Sequence, residues 1–409
     1  MRPFSGALRD VPVPRIVDAI SDAAERWSDA DFPPRVRATD AIVRRMGYSV
    51  PVVEYALDRL FTPIAATALR AVIEAELGSL AALDRFVDFE GKSPRRALPV
   101  GRVAVVASRS TIGVALVPAI FALCAKCDVV VKDREDGAIG AFFATLHEEH
   151  AAFATAALAE SWCGDETGDR LVDFACVVAF GATGTLREIR ARCDADARFV
   201  GFGTRASVGY LDARTIADAR ALDAALDGAA RDIVLYDTEG CLSLHAIFIE
   251  AASDDAARVT ERLTPALQRA AVEFPLGERA PEAAARFAAA RDAASFRAAS
   301  GHGDVYADTD HGFAVISATL DEPPPFAPRT TAIVPVRDPG EALAYLRRHS
   351  LELEAFAVAE PNDALTELAI ASGASRIASF GRLQAPPLGA DHGGRPRMAD
   401  FIRWIDREM

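Results

Sequence analysis

Short apolar runs and helical patterns alternate through the middle of the chain. The runs have the continuous hydrophobic character of strands buried on both faces, and they lie at residues 103–107, 128–132, 175–180 and 199–202. Helical patterns separate them, at about residues 113–126, 137–160 and 181–192. This alternation predicts an α/β fold with a doubly wound parallel sheet, whose ligand site lies at the carboxyl ends of the strands.

Other patterns flank this region on both sides. Residues 13–85 are mostly helical by pattern. Strand-like runs recur in the second half of the chain, at residues 245–249, 313–316, 331–336 and 355–358. Helical patterns lie between them, at about residues 254–272 and 281–298. The second half is therefore predicted to form another α/β domain.

Charge and composition narrow the class of protein. The 409 residues carry a net charge of −14, which would repel a polyanion, so we do not expect nucleic-acid binding. The N-terminus lacks the apolar run of a signal peptide, and the longest apolar stretch, residues 112–125, is too short to span a bilayer. We expect a cytoplasmic protein without a membrane span.

Cys241 is the first candidate for a catalytic residue. The six cysteines show no paired spacing, so a disulfide framework is not expected and a thiol is free to react. Gly240 directly before Cys241 predicts a tight turn that opens a helix. Backbone N–H groups and the helix dipole would favour the thiolate there, and the same groups could bind an oxyanion. The alternative is a buried structural cysteine.

Candidates for cofactor binding follow the predicted strands. Lys132 ends a buried strand and could reach a cofactor ribose or phosphate, or it could be a solvated strand-end lysine. Glu135 could accept hydrogen bonds from ribose hydroxyls, whereas Arg134 could bind a 2′-phosphate. Gly181, Thr183 and Gly184 lie between a strand and a helix, where the backbone can approach a pyrophosphate.

Several histidines and cysteines are weaker candidates. Cys124 and Cys127 form a C-x-x-C pattern without a second ligand pair, and His147 and His150 lack the i, i+4 spacing of a zinc-binding helix. We predict no metal site from them. His392, in a polar turn, could act as a general acid or base, or bind a phosphate.

In chain order, these features resemble the aldehyde dehydrogenase superfamily. Lys132 at a strand end, the loop at residues 181–184 and Cys241 downstream stand in its order. Two segments are similar to acyl-CoA reductases related to the fatty-acid reductase component of bacterial bioluminescence. They are residues 235–243 around the cysteine and the tail from residue 381, which includes His392. The resemblance extends from about residue 95 to the end.

The resemblance implies a fold, a reaction and a domain plan. Cys241 would attack a fatty acyl thioester, and hydride from NADPH, or alternatively NADH, would reduce the acyl-enzyme to the aldehyde. His392 is the candidate for proton handling. Residues 1–215 would form a helical region and the nicotinamide-cofactor domain, residues 216–380 the catalytic thiol domain, and residues 381–409 a segment returning to the cofactor domain. The acyl donor would be acyl-CoA or an acyl-protein thioester, with an acyl-activating enzyme as a candidate partner and a homo-oligomer left open.

Two departures from the superfamily bear on the reaction. Hydrolytic aldehyde dehydrogenases carry a Glu-Leu-Gly-Gly segment whose Glu activates water, whereas residues 200–210 here contain no acid. The family's oxyanion-binding Asn is replaced in the segment Ser108-Arg109-Ser110-Thr111, where Ser110 could donate a hydrogen bond instead. The alternatives are a hydrolytic NAD-dependent enzyme, a catalytically weak or silent acyl-binding scaffold, and a reductase of acyl phosphates.

Overall fold

The computed structural model describes residues 4–108, 111–133, 137–162, 170–250 and 253–408, with the side chains of 253–255 excepted. The helices are α1 (Val13–Ser28), α2 (Pro33–Met46), α3 (Val50–Phe61), α4 (Ala66–Leu77), α5 (Leu116–Cys124), α6 (Ala138–Glu149), α7 (Phe153–Ala156), α8 (Thr183–Ala191), α9 (Ala213–Ala217), α10 (Ala219–Val234), α11 (Ser253–Glu273), α12 (Pro281–Ala299), α13 (Pro339–Arg348) and α14 (Asp363–Ala371). The strands are β1 (Val87–Phe89), β2 (Lys92–Pro99), β3 (Arg102–Val106), β4 (Asp128–Lys132), β5 (Ala157–Glu160), β6 (Cys176–Phe180), β7 (Arg198–Phe202), β8 (Ala206–Leu211), β9 (Leu244–Glu250), β10 (Val305–Asp308), β11 (Phe313–Ser317), β12 (Thr330–Val336), β13 (Leu353–Val358), β14 (Arg376–Ser379) and β15 (Ile402–Asp406).

The chain divides into two compact units. The first comprises Met1–Met46, Val53–Gly203 and Pro387–Met409, and the second comprises Gly47–Val52 and Thr204–Pro386. The sequence-based boundary after residue 215 therefore lies beyond β8, a strand of the second unit. That strand escapes sequence analysis because its short apolar stretch, broken by Gly209, does not show the continuous run of its neighbours.

The first unit is built on a parallel sheet with strand order β5-β4-β3-β6-β7. The central strands β3, β4 and β6 are rich in valine and buried, as predicted for strands covered on both faces. The chain builds the sheet outward from β3 through β4 to β5 and then returns to β6. The strand order reverses between β3 and β6, which places the expected ligand site at the carboxyl ends of these strands.

One predicted helix of this unit is interrupted in the structure and is wrong at its end. The pattern indicated a helix over residues 137–160, but α6 ends where His150 turns extended. The short helix α7 follows, and β5 then pairs in parallel with β4. Alanine favours helix intrinsically, so the alanine-rich sequence conceals the strand. Backbone pairing with β4 overrides that preference at the edge of the sheet.

A smaller antiparallel sheet of the first unit joins residues far apart in sequence. Its order is β1-β2-β15, and Trp404 of β15 lies opposite Ala97 of β2. The Arg95 guanidinium stacks 3.6 Å from the centroid of the Trp404 ring. Residues 13–85 are helical as predicted, through α1 to α4.

The second unit contains a sheet with strand order β10-β11-β12-β9-β8-β13-β14. Its neighbouring strands are parallel except for the pair β10 and β11. The amino ends of β9, β8, β13 and β14 therefore meet at one edge. Phe248, Tyr210 and Phe356 from these strands pack in its core with residues of α13 and α14. In the described part of the chain, no helix is long and apolar enough to cross a membrane.

Candidate functional site

Cys241 lies in the turn that leads into β9, at the amino edge of the second sheet. The predicted tight turn is present, but the predicted helix after it is wrong, because the chain enters a strand. A helix dipole therefore cannot favour the thiolate at this position. The thiol is half-buried.

Hydrogen bonds fix the backbone around the cysteine. The Ser207 hydroxyl donates to the Cys241 carbonyl at 2.8 Å, and the Ser243 N–H donates to the Gly240 carbonyl at 3.0 Å. The Gln384 amide donates to the Ser243 hydroxyl at 2.9 Å. The backbone of the turn is thus held from β8 and from the segment after β14.

Charged groups come to the same edge from neighbouring strands. Arg205, just before β8, pairs with the buried Glu354 of β13 at 3.4 Å and donates to the Ser375 hydroxyl at 2.9 Å. Burial raises the pKa of the Cys241 thiol to about 12, and the negative charge of Glu354 adds to the rise while Arg205 opposes it. Sequence reasoning missed both side chains, since only the pairing of β8, β9 and β13 brings them to the cysteine.

The reactivity of Cys241 in the ligand-free protein should depend steeply on pH. Only the thiolate is nucleophilic, so below a pKa of about 12 the reactive fraction rises about tenfold for each pH unit. We expect alkylation of Cys241 by iodoacetamide, followed by peptide mapping, to accelerate in this way between about pH 7 and about pH 10. A plateau below about pH 9 would show that the protein stabilises the thiolate instead.

His245 lies within β9 and contacts the cysteine turn. Its imidazole is hydrogen-bonded to the backbone of Gly240 and packs 4.9 Å, centroid to centroid, from the Phe326 ring. Burial lowers the pKa of His245 to about 4, so the ring is neutral at physiological pH. His245 therefore supports the turn as an uncharged group.

Lys132 occupies the carboxyl end of β4, as predicted from the sequence. Its buried ammonium lies 5.1 Å from the centroid of the Trp162 ring, and the Arg170 guanidinium lies 5.7 Å from the same centroid. Arg170 also pairs with Glu160 at 3.2 Å. Two cations thus lie beside one aromatic ring at the carboxyl end of β4. Such a pair can bind an anionic group of a cofactor.

The glycine loop follows β6 at the same carboxyl edge. Thr183 is the first residue of α8, and Ala182 before it supplies no side-chain cap for the helix amides. A Cβ added at Gly184 would meet no atom within 4 Å, so the backbone is open on that side. Thr183 and Gly184 thus offer backbone N–H groups that suit a phosphate, whereas the Gly181 N–H donates to the Phe202 carbonyl at 3.2 Å.

His392 belongs to the first unit and stacks on aromatic residues at the ends of β6 and β7. Its ring centroid lies 4.1 Å from that of Phe202, with an interplanar angle of 19°, and 5.5 Å from that of Phe180. Two backbone hydrogen bonds of 3.0 Å join His392 to Arg395 and close the predicted turn. His392 therefore shares the carboxyl edge with the glycine loop, and its predicted proton role stays a prediction.

The remaining candidates divide into two groups. Ser110, Arg134 and Glu135 lie outside the described residues. Cys124 and Cys127 are buried, burial raises the pKa of each thiol to about 12, and the Cys127 thiol donates to the Phe401 carbonyl at 3.3 Å. The C-x-x-C pattern therefore packs the core.

Comparisons with solved structures identify the fold. The chain superposes on a NAD-dependent benzaldehyde dehydrogenase from Corynebacterium glutamicum with a TM-score of 0.70 and 15% identity, covering 98% of this chain and 88% of the other. For the gamma-glutamyl-gamma-aminobutyraldehyde dehydrogenase from Burkholderia cenocepacia, the TM-score is 0.72 and the identity is 15%, covering 99% of this chain and 85% of the other. For a NAD-dependent aldehyde dehydrogenase from Sinorhizobium meliloti, the TM-score is 0.71 and the identity is 16%, covering 98% of this chain and 82% of the other. The predicted aldehyde-dehydrogenase-like fold is confirmed.

A family model identifies the branch of this superfamily. No curated protein sequence matches the chain. The model described as acyl-CoA reductase (LuxC), however, matches residues 8–404, which is nearly the whole chain. This confirms both the predicted resemblance and the predicted class of reaction, the reduction of an acyl group to an aldehyde. The chain belongs to the acyl-CoA reductase (LuxC) family, and it is an oxidoreductase with the aldehyde dehydrogenase fold.

Proposed function

We propose that the protein reduces a fatty acyl thioester through an acyl-enzyme on Cys241, with NADPH as the hydride donor. The observation that carries the proposal is the half-buried Cys241 thiol, fixed in a turn where Arg205 and Glu354 converge. Partial exposure and the adjacent charged pair distinguish Cys241 from Cys124 and Cys127, which are buried in the core. The family supplies the class of substrate.

The first step is transfer of the acyl group to the enzyme. The sulfur of Cys241 bonds to the acyl carbon, and the bond between that carbon and the donor thiol sulfur breaks. A thiol whose pKa is near 12 needs a proton acceptor. We assign this role to Glu354, the carboxylate whose charge acts most strongly on Cys241. The proton then passes from Glu354 to the departing thiolate.

The second step is reduction of the acyl-enzyme. The nicotinamide cofactor, when bound, supplies hydride to the acyl carbon. The bond between that carbon and the Cys241 sulfur then breaks, the aldehyde leaves, and the sulfur regains a proton. His392 is a second candidate for handling this proton. Because residues 200–210 contain no acid, the chain offers no counterpart there of the water-activating Glu, which favours reduction over hydrolysis.

The donor set at the edge of the first sheet fits a phosphorylated dinucleotide. Lys132 and the N-terminus of α8 would hold its phosphates. Two residues soon after Lys132 in sequence are further candidates, Arg134 for a 2′-phosphate and Glu135 for the ribose hydroxyls. Lys132 and Arg170 on the Trp162 ring favour the additional 2′-phosphate of NADPH over NADH. In this plan the first unit binds the cofactor and the second supplies the thiol.

The acyl donor is proposed as acyl-CoA or a protein-bound thioester delivered by an acyl-activating enzyme. Ser110 is proposed to help bind the oxyanion. The family name favours acyl-CoA as the first substrate to test. A homo-oligomer remains compatible with this scheme.

Intact-mass spectrometry tests the proposal directly. The purified protein is incubated with acyl-CoA of several chain lengths without cofactor, and the adduct is mapped to a peptide. We expect one acyl group on Cys241 that disappears when NADPH is added, with release of the aldehyde. A protein that acquires no adduct from any acyl-CoA, yet produces aldehyde when NADPH is present, would rule out the acyl-enzyme.

A further inference from the structure

The residues just before the reactive cysteine adopt an unusual backbone conformation. Tyr236, Asp237 and Thr238 have φ values of 56°, 51° and 58°, which place three consecutive non-glycine residues in the left-handed region. Side chains disfavour this region, and such residues persist only where the surroundings impose it. The run ends three residues before Cys241, so its shape sets where the cysteine turn begins.

A buried ion pair holds the centre of this run. Arg329, whose side chain is 1% exposed, donates from Nε to Oδ1 of Asp237 at 2.5 Å, and its backbone N–H donates to the Asp237 carbonyl at 3.1 Å. The same guanidinium donates to the carbonyls of Phe274 at 3.0 Å and Pro275 at 3.2 Å. Arg329 therefore connects Asp237 to the backbone that follows α11.

Further hydrogen bonds hold the two ends of the run. The Thr238 hydroxyl donates to the Ile233 carbonyl in the last turn of α10 at 2.8 Å. The Tyr48 hydroxyl donates to the Tyr236 carbonyl at 3.3 Å. Beyond the run, Ser207 and His245 hold the backbone of Cys241 and Gly240. The segment is therefore fixed on both sides of the thiol.

We propose that the Asp237–Arg329 pair positions the nucleophile. The pair holds the left-handed run so that the Cys241 thiol is placed for attack on the acyl carbon. The pair does not touch the reacting atoms and acts through the backbone of residues 236–241. The proposal rests on the proposed function, because it takes Cys241 as the nucleophile. It adds Arg329, which lies outside the motif around the cysteine, to the site and gives Asp237 of that motif a role.

Without the pair, the run can relax towards right-handed conformations. A displacement of about 1 Å at a reacting group can cost about 100-fold in rate. Loss of the pair should therefore slow acyl transfer strongly while leaving the affinity for acyl-CoA almost unchanged. A small reagent that approaches a thiol from many directions should be much less sensitive to the displacement.

The experiment compares Asp237→Asn and Arg329→Lys with the parent protein. Single-turnover acylation by acyl-CoA is followed by rapid quench and intact mass, and alkylation of Cys241 by iodoacetamide is measured in parallel. We expect the acylation rate at saturating acyl-CoA to fall about 100-fold in Asp237→Asn and about tenfold in Arg329→Lys. The half-saturating acyl-CoA concentration and the alkylation rate should each change less than about threefold.

Asp84→Asn is the matched control for stability. It removes the partner of another buried cation, Lys126, whose ammonium lies 2.6 Å from Asp84 in the first unit. This variant should lose stability but keep the parent acylation rate. Equal slowing in Asp84→Asn and Asp237→Asn, or a parent-like acylation rate in folded Asp237→Asn, would overturn the positioning role.

Thr238→Val keeps the test decisive if the ion-pair variants do not fold. It removes the hydroxyl that bonds Ile233 while preserving side-chain shape. We expect acylation to slow about three- to tenfold, consistent with the loss of one hydrogen bond. An unchanged rate there would overturn the proposal. If the parent protein itself forms no adduct, the proposed function fails first, which separates the two outcomes.

Discussion

Replacing Cys241 with alanine should abolish acyl transfer and lower the production of aldehyde from acyl-CoA by about 10⁴-fold or more. The expectation follows because the nucleophile forms the covalent bond, and removal of a covalent nucleophile costs factors of this order in other enzymes. The measurement is aldehyde formation from acyl-CoA and NADPH, together with intact mass. Cofactor binding, followed by nicotinamide fluorescence, should be unchanged, because the cofactor groups proposed above belong to the other unit.

Cys193→Ala is the matched control for this substitution. Cys193 is also partly exposed, but it lies just after α8 in the first unit, and its thiol donates to the Ile189 carbonyl at 3.2 Å. Acylation and turnover should therefore match those of the parent. Turnover retained in Cys241→Ala, or lost equally in both variants, would show that Cys241 does not carry the acyl group.

Several central parallel strands of both sheets could be predicted because strands buried on two faces have continuous hydrophobic runs, whereas the parallel strands β5 and β8 were missed. The valine-rich β4 and the apolar β12 carry continuous hydrophobic runs, and their predicted bounds agree with the structure to within one residue. The order of the strands was less accessible. The sheet β1-β2-β15 joins residues separated by more than 300 positions, and no local pattern encodes such a partner.

The residues of the candidate site likewise differ in whether the local sequence identifies them. Gly240 before Cys241 was a local signal, and it correctly predicted a turn, though the helix expected after it is a strand. Glu354 and Arg205 carried no local signal, because strand register alone brings them to the thiol. Arg329 was equally hidden, since its partner Asp237 lies 92 residues away.

This division has a physical consequence for the chemistry. The cysteine that we propose as the nucleophile lies in a turn whose sequence can be recognised, whereas the charged groups beside it, Arg205 and Glu354, come from distant segments of the chain. Burial raises the pKa of the Cys241 thiol to about 12, so we expect the thiol to need a neighbouring proton acceptor in order to react. We therefore expect reactivity to depend on the folded second unit, so that substitutions outside the turn, at Arg205 or Glu354, alter the rate although the sequence of the turn is unchanged.

The second large effect is expected at Lys132. Replacement with methionine keeps the apolar stem against Trp162 but removes the ammonium, and a charged hydrogen bond is worth about 1.5–3 kcal/mol. We expect the KM for NADPH to rise about 10- to 100-fold, while the KM for NADH rises less than about fivefold. Steady-state rates with each cofactor, at saturating acyl-CoA, give both values.

Lys92→Met supplies the comparison, since the chain has only three lysines and Lys92 is exposed at the start of β2. Lys92→Met should leave both KM values unchanged. The third lysine, Lys126, is excluded as a control because it forms a buried ion pair.

Acylation of Cys241 without cofactor should proceed normally in Lys132→Met, because the acyl group and the hydride donor are proposed to engage different units. Equal losses with NADPH and NADH would place Lys132 at a phosphate common to both cofactors and remove the argument for NADPH. Unchanged KM values for both would remove Lys132 from the cofactor site.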